Sequence, residues 1–336
     1  MASAAGRYFG RTPEGQDVQL LEVQAPDGLK MTACTYGAAI ASLEVPIGHG
    51  RYLDVVLGFE NVEDYVRSID LPAPPHFGAV IGRWAGRINK GIFTFKGHEY
   101  RLRPNNNGHS LHGGRYGFSQ RVWSISRYEP DHLIEFRLDS PDGDENFPGQ
   151  LEAIARYEIE GLSLKVTMEA YAHADTIVNM TQHSYFNLDG HDADVTCQKL
   201  FVRSDALLET RDMIPTGRIN AAEDTPFDHR EFRQVPDEVD ATFILNREPG
   251  PAATLQGTSG ILLNVFTNQP AVHIYVGGDC FGLIPGKDKV AYHWHSGICF
   301  ETQNYPDAPN HPHFPSPVLA AGHTYRNETI YKFEKT

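Results

Sequence analysis

The sequence predicts an all-β chain built as a large antiparallel β-sandwich. Three observations carry that reading. Hydrophobic residues alternate with polar ones in short runs, 31 glycines and 22 prolines punctuate those runs, and almost nothing reads as a long helix. Taken in chain order, residues 18–23 and 52–59 read as strands, residues 61–67 as a short helix, and residues 91–102 and 132–138 as strands. Leu151, Ala153, Ala155, Tyr157 and Ile159 then alternate with mostly polar neighbours, and Leu162, Leu164, Val166, Met168 and Ala170 repeat the pattern beyond Gly161. That is an antiparallel pair joined at a glycine. Residues 236–241 allow a second short helix, and residues 272–276 and 325–333 close the series as strands. No linker, repeat or low-complexity tract divides the chain, so residues 1–336 are expected to form one domain of two packed sheets.

Composition narrows the function. A formal charge of −14 disfavours nucleic acid and anionic membranes as partners, and Lys and Arg form no basic run. A neutral small molecule suits that charge better than a polyphosphate. Cys34, Cys197, Cys280 and Cys299 make no CxxC pair, and a chain this long needs no staples, so reduced core thiols are expected. Residues 1–8 lack an apolar leader and no stretch reaches membrane-spanning length, which points to the cytoplasm. Asn179 and Asn327 match the glycosylation pattern but carry nothing in that compartment.

Three segments carry chemistry. Leu111-His112-Gly113-Gly114 follows the Asn-rich stretch 104–108, and paired glycines let backbone approach a ligand while the histidine projects. His183 lies in Thr181-Gln182-His183-Ser184-Tyr185-Phe186-Asn187-Leu188, flanked by polar residues and an aromatic wall. Glu301 follows an apolar strand and opens the run Glu301-Thr302-Gln303-Asn304-Tyr305-Pro306-Asp307-Ala308. Burial there would raise its pKa into the range of a general base. One carboxylate and two histidines suit acid–base chemistry on a neutral polyol. A surface turn, a satisfied core histidine and a solvated glutamate are the plainer readings of the same residues.

Together these segments resemble the aldose 1-epimerase (galactose mutarotase) family over nearly the whole chain. The resemblance implies a β-supersandwich of the galactose mutarotase-like type. It also implies interconversion of the α and β anomers of free aldohexoses, D-glucose or D-galactose. Glu301 would take the proton from the anomeric hydroxyl, a protonated His183 would give one to the ring oxygen, and His112 would hold that oxygen. The segment Gly82-Arg83-Trp84-Ala85-Gly86-Arg87 resembles a family motif whose second arginine, here Arg87, contacts sugar hydroxyls. Asp240 resembles the family's hydroxyl acceptor, in preference to Asp228, and Tyr185 would help orient hydroxyls. Two departures stand out: Gly86 replaces a frequent asparagine, and His273 falls where well-known members carry glutamine. His273 would then contact a hydroxyl remote from the reacting atoms.

No metal or cofactor is expected. His293/His295 and His311/His313 have metal-ligand spacing, but neither has a local carboxylate or cysteine to complete a set. A sugar is the expected partner, and the chain itself is expected to be a monomer or weak homodimer. Competing functions are an epimerase on a modified sugar or other hemiacetal, a glycoside hydrolase using Glu301 and Asp240, and a non-catalytic sugar-binding protein.

Overall fold

The computed structural model describes residues 6–335, so most of the N-terminal stretch 1–8 read above lies outside the described residues. Among the described residues, the strands build three main antiparallel sheets of five, six and nine strands. Leu151–Glu160 and Ser163–Ala172 pair without a break from Leu151↔Ala172 to Glu160↔Ser163, and Gly161 turns the chain at φ +54°. Their alternate apolar residues are buried as the pattern requires. Each such side chain contributes about 1.5–3 kcal/mol when fully withdrawn from water. In the nine-stranded sheet this pair lies between Leu133–Ser140 and Thr324–Lys335.

The six-stranded sheet runs in the order Tyr185–Phe186, Gly297–Gln303, Ala271–Gly277, Asp240–Ile244, Ala206–Arg211, Ile214–Ala221. Its inner face packs on the nine-stranded sheet. The Thr302 and Thr329 hydroxyls meet at 2.5 Å, Asn327 Nδ2 donates to the Thr302 carbonyl at 2.7 Å, and the Tyr331 hydroxyl donates to the Phe300 carbonyl at 3.3 Å. Because side chains alternate along a strand, Cys299, Glu301 and Gln303 fall on the opposite face. One cluster of buried residues draws on all three sheets.

Several sequence expectations need correction. The run 52–59 is a strand only through Asp54 (Arg51–Asp54). Beyond it, Val55 N–H donates to the Leu43 carbonyl and Leu57 N–H to that of Tyr185, so the chain bridges two sheets instead of extending one. Residues 91–102 form a hairpin, Ile92–Phe95 with His98–Arg101, around Lys96 and Gly97, both at positive φ as a type I′ turn demands. The helix Val62–Ser68 is present, with Asn61 Oδ1 accepting the Asp64 N–H at 2.9 Å as its cap. The helix expected at 236–241 is absent. Asp240–Ile244 is a strand, and Val239 already accepts the Val276 N–H in an extended conformation. All four cysteines are free, but Cys197 is exposed and not a core thiol. Asn179 and Asn327 are buried and donate to backbone carbonyls. No helix among the described residues is long and apolar enough to cross a membrane.

Candidate active site

A cleft of about 570 Å³ opens on the outer face of the six-stranded sheet. Glu301, His183, His112, Arg87, Asp240, Tyr185 and His273 all line it, although they come from segments spread over more than two hundred residues. The sheet register explains part of this. His273 stands directly opposite Glu301, and Asp240 directly opposite Tyr275, so alternate residues of three neighbouring strands form the floor.

Glu301 is 2% exposed. Its Oε1 lies 3.5 Å from His183 Nε2, and its Oε2 has no hydrogen-bond partner among the described residues. Burial pushes the carboxyl up to about 7, with His273 and Arg87 pulling it back and Asp240 adding to the rise. A buried acceptor without a partner costs about 1–3 kcal/mol, so its presence in a cleft marks a place kept for a ligand group.

His183 sits at a break between Thr181–Gln182 and Tyr185–Phe186. Its polar neighbours bond each other, with Gln182 Nε2 donating to Ser184 Oγ at 2.7 Å. The ring is held by Glu301 on one side and by the Cys299 thiol, 3.5 Å from Nδ1, on the other. Burial pushes the imidazole down to about 3, with His76 adding to the fall, so the expected protonated His183 is not the resting form of the free cleft.

His112 has φ +52°, followed by Gly113 and Gly114 at +81° and +98°. A Cβ on Gly113 would lie 2.0 Å from the Gly82 carbonyl oxygen, so only glycine lets this turn close. The Gly86 N–H donates to His112 Nδ1 at 3.3 Å. A neutral His112 therefore carries its proton on Nε2, and burial, reinforced by His183, keeps it neutral by lowering its pKa well below the usual value. Gly86 itself has φ +78° and a Cβ there would meet Pro306 at 3.0 Å, which accounts locally for the missing asparagine.

Arg87 Nε donates to Asn106 Oδ1 at 3.1 Å, and burial lowers its pKa against the pull of Asp240 and Glu301. Asp240 lies 3.1 Å from His273 Nε2, while the other ring nitrogen of His273 lies 2.9 Å from Thr242 Oγ1. Both nitrogens are thus engaged, so His273 meets Asp240 where direct contact with a hydroxyl was expected. Asp228, the competitor, is tied to Arg230 at 2.8 Å and does not line the cleft. Tyr185 packs against His183 with ring centroids 5.2 Å apart.

Three residues escaped the sequence reading. Gln303 is 1% exposed, lines the cleft and leaves its Oε1 without a partner among the described residues. Its position two residues beyond Glu301 was signal enough to place it on the same face. Cys299 was equally inferable by that spacing. His76, whose ring lies edge-on to His112 at 5.4 Å, had no signal, because a loop delivers it. The histidine pairs outside the cleft have protein partners. His293 Nε2 lies 3.2 Å from Asp194, a carboxylate distant in sequence, and His295 Nε2 lies 3.1 Å from the Asp237 carbonyl. His313 Nε2 lies 2.7 Å from the Gly217 carbonyl, and His311 Nε2 lies 3.4 Å from Asp307.

Known proteins resemble this chain over nearly its whole length. The family model described as aldose 1-epimerase matches residues 19–332. The chain is 38% identical to the galactose mutarotase of Bos taurus, with 99% of each chain covered. It is 31% identical to the aldose 1-epimerase of Escherichia coli K12, with 96% of each covered. The crystal structure of an aldose epimerase homologue from C. elegans superposes with a TM-score of 0.87 at 29% identity, covering 95% of this chain and 99% of that one. The chain belongs to the aldose 1-epimerase family.

Proposed function

We propose that this protein interconverts the α and β anomers of free aldohexoses, with D-galactose and D-glucose as substrates, by acid–base opening and closing of the ring. The observation that carries the mechanism is the buried Glu301 carboxylate with one free oxygen beside two imidazoles. Glu301 Oε2 takes the proton from the anomeric hydroxyl. The C1–O5 bond breaks with its electron pair going to the ring oxygen, which takes a proton from His183 Nε2. Rotation about C1–C2 presents the other face of the aldehyde, and closure runs the transfers in reverse. His112, with Nε2–H outward, donates to the ring oxygen and stabilises charge developing there.

The proton inventory supports this pairing. The gap between about 7 for Glu301 and about 3 for His183 favours the proton on Glu301 by about 5 kcal/mol. An imidazolium–carboxylate pair at 3.5 Å gains about 5 kcal/mol at an effective dielectric of 20. The attraction counters much of that preference, so the proton rests on Glu301 and can pass to His183 when substrate arrives. Arg87, Asp240 and Gln303 serve as hydroxyl partners, and Tyr185 walls the floor. Four free cysteines suit a reducing, cytoplasmic setting.

Polarimetry of freshly dissolved α-D-galactose and α-D-glucose tests the proposal. Equilibration should accelerate with protein, and the methyl glycosides, which lack a free anomeric hydroxyl, should not change. Release of reducing sugar from an oligosaccharide would instead support the hydrolase reading.

A further inference from the structure

His273 lies on the floor of the cleft, and its surroundings give it a defined task. Its Nε2 lies 3.1 Å from Asp240 Oδ1 and its Nδ1 2.9 Å from Thr242 Oγ1. Its strand sets it directly across from Glu301. The carboxylate can only accept, and the Thr242 hydroxyl can accept as well as donate, so the pair of neighbours can hold the ring as a double donor, which is the imidazolium. We propose that His273 is a positioning residue: as an imidazolium it occupies one oxygen of Asp240, leaves the other to read a single sugar hydroxyl remote from the anomeric centre, and favours ionisation of Glu301 across the strand pair. The inference rests on the anomerase reading above.

The charges around His273 favour this state. Asp240 and Glu301 attract its proton, Arg87 opposes it, and the buried His112 and His183 are neutral near pH 7 and repel it little. Burial works against the charged ring, yet the Asp240 bond and charge outweigh it and leave the pKa raised. Asp240 shows the reciprocal effect: burial raises its carboxyl, and the bond and charge of His273, together with Arg87 and His183, more than offset that. Glutamine at this position would fill similar space and still bond Asp240, but it would bring no charge opposite Glu301.

The test compares the parent, His273→Gln, Asp240→Asn and the double variant, with anomer exchange followed by NMR on D-galactose and D-glucose. In His273→Gln the alkaline limb of kcat/KM should move up by about one pH unit, since Glu301 loses a neighbouring cation and the pair holds its proton more tightly. The galactose-to-glucose ratio of kcat/KM should shift roughly three- to tenfold, mostly through KM. Because His273 acts through Asp240, the double variant should show the same hexose ratio as Asp240→Asn alone. An unmoved alkaline limb, or additive effects in the double variant, would overturn the proposal. Histidine ¹⁵N spectra of the free protein give a readout independent of turnover: His273 should be charged at pH 7 with both N–H groups present. A charged His273 in a protein that does not anomerise would strike the functional reading alone. A neutral His273 in an active protein would strike this inference alone.

Discussion

Glu301→Gln should make the protein more stable above neutral pH and change it little in mild acid. The folded carboxyl titrates at about 7, against an ordinary value of 4.5, because burial disfavours its charge. A raised folded pKa means that the native state binds this proton more tightly than the unfolded chain. The stability this supplies is fully present below about pH 4.5 and is lost as pH rises through about 7. Across that window the loss is about 3 kcal/mol, the interval from 4.5 to about 7 at about 1.36 kcal/mol per pH unit. Glutamine keeps the shape and has no charge to bury, so its advantage should grow from below about 1 kcal/mol at pH 5 to about 3 kcal/mol at pH 8.5. Urea unfolding at the two pH values measures the difference directly. In a thermal scan the larger figure corresponds to about 4 °C for a chain of this length. A variant stabilised equally at both pH values, or not at all at pH 8.5, would refute the argument that burial has raised this carboxyl.

Gly113→Ala should cost roughly 3 kcal/mol or more in stability and abolish turnover, since the added methyl meets the Gly82 carbonyl oxygen at 2.0 Å; unfolding curves and polarimetry check both. Gln303→Leu should raise KM about three- to tenfold with kcat nearly kept, because one hydroxyl loses its acceptor in ground and transition states alike; steady-state rates on galactose decide it. EDTA should leave the rate unchanged, as the histidine pairs outside the cleft bond carbonyls and carboxylates of the protein itself. Loss of rate restored by a divalent ion would contradict that.

Much of the fold was legible because the strands are amphipathic. The Leu151–Glu160 and Ser163–Ala172 pair follows from period-two alternation and one glycine, and Gln303 could have been placed by the same rule. Residues 55–59 misled because a segment buried on all sides is apolar whether or not it pairs as a strand. Residues 236–241 misled because a short polar stretch takes the conformation its neighbours impose, here an extended path beside Ala271–Gly277. The reacting residues were reachable through motif resemblance, not through pattern. What sequence could not supply was how they meet: the Cys299 thiol behind His183, the Gly86 N–H on His112, and His273 engaged at both nitrogens. Each of those contacts joins residues far apart in the chain through the packing of separate elements.

The claim that Glu301 is the base is tested most directly by anomer-exchange NMR of D-galactose with the parent and Glu301→Gln across pH 5 to 9. The account predicts that parent kcat/KM falls as pH rises through about 7, where the Glu301–His183 pair loses the proton that the reaction passes to the ring oxygen. It predicts that the variant is slower by about 10²–10⁴-fold throughout, with galactose affinity within a few-fold of the parent. A variant that exchanges anomers at near-parental rate would contradict it.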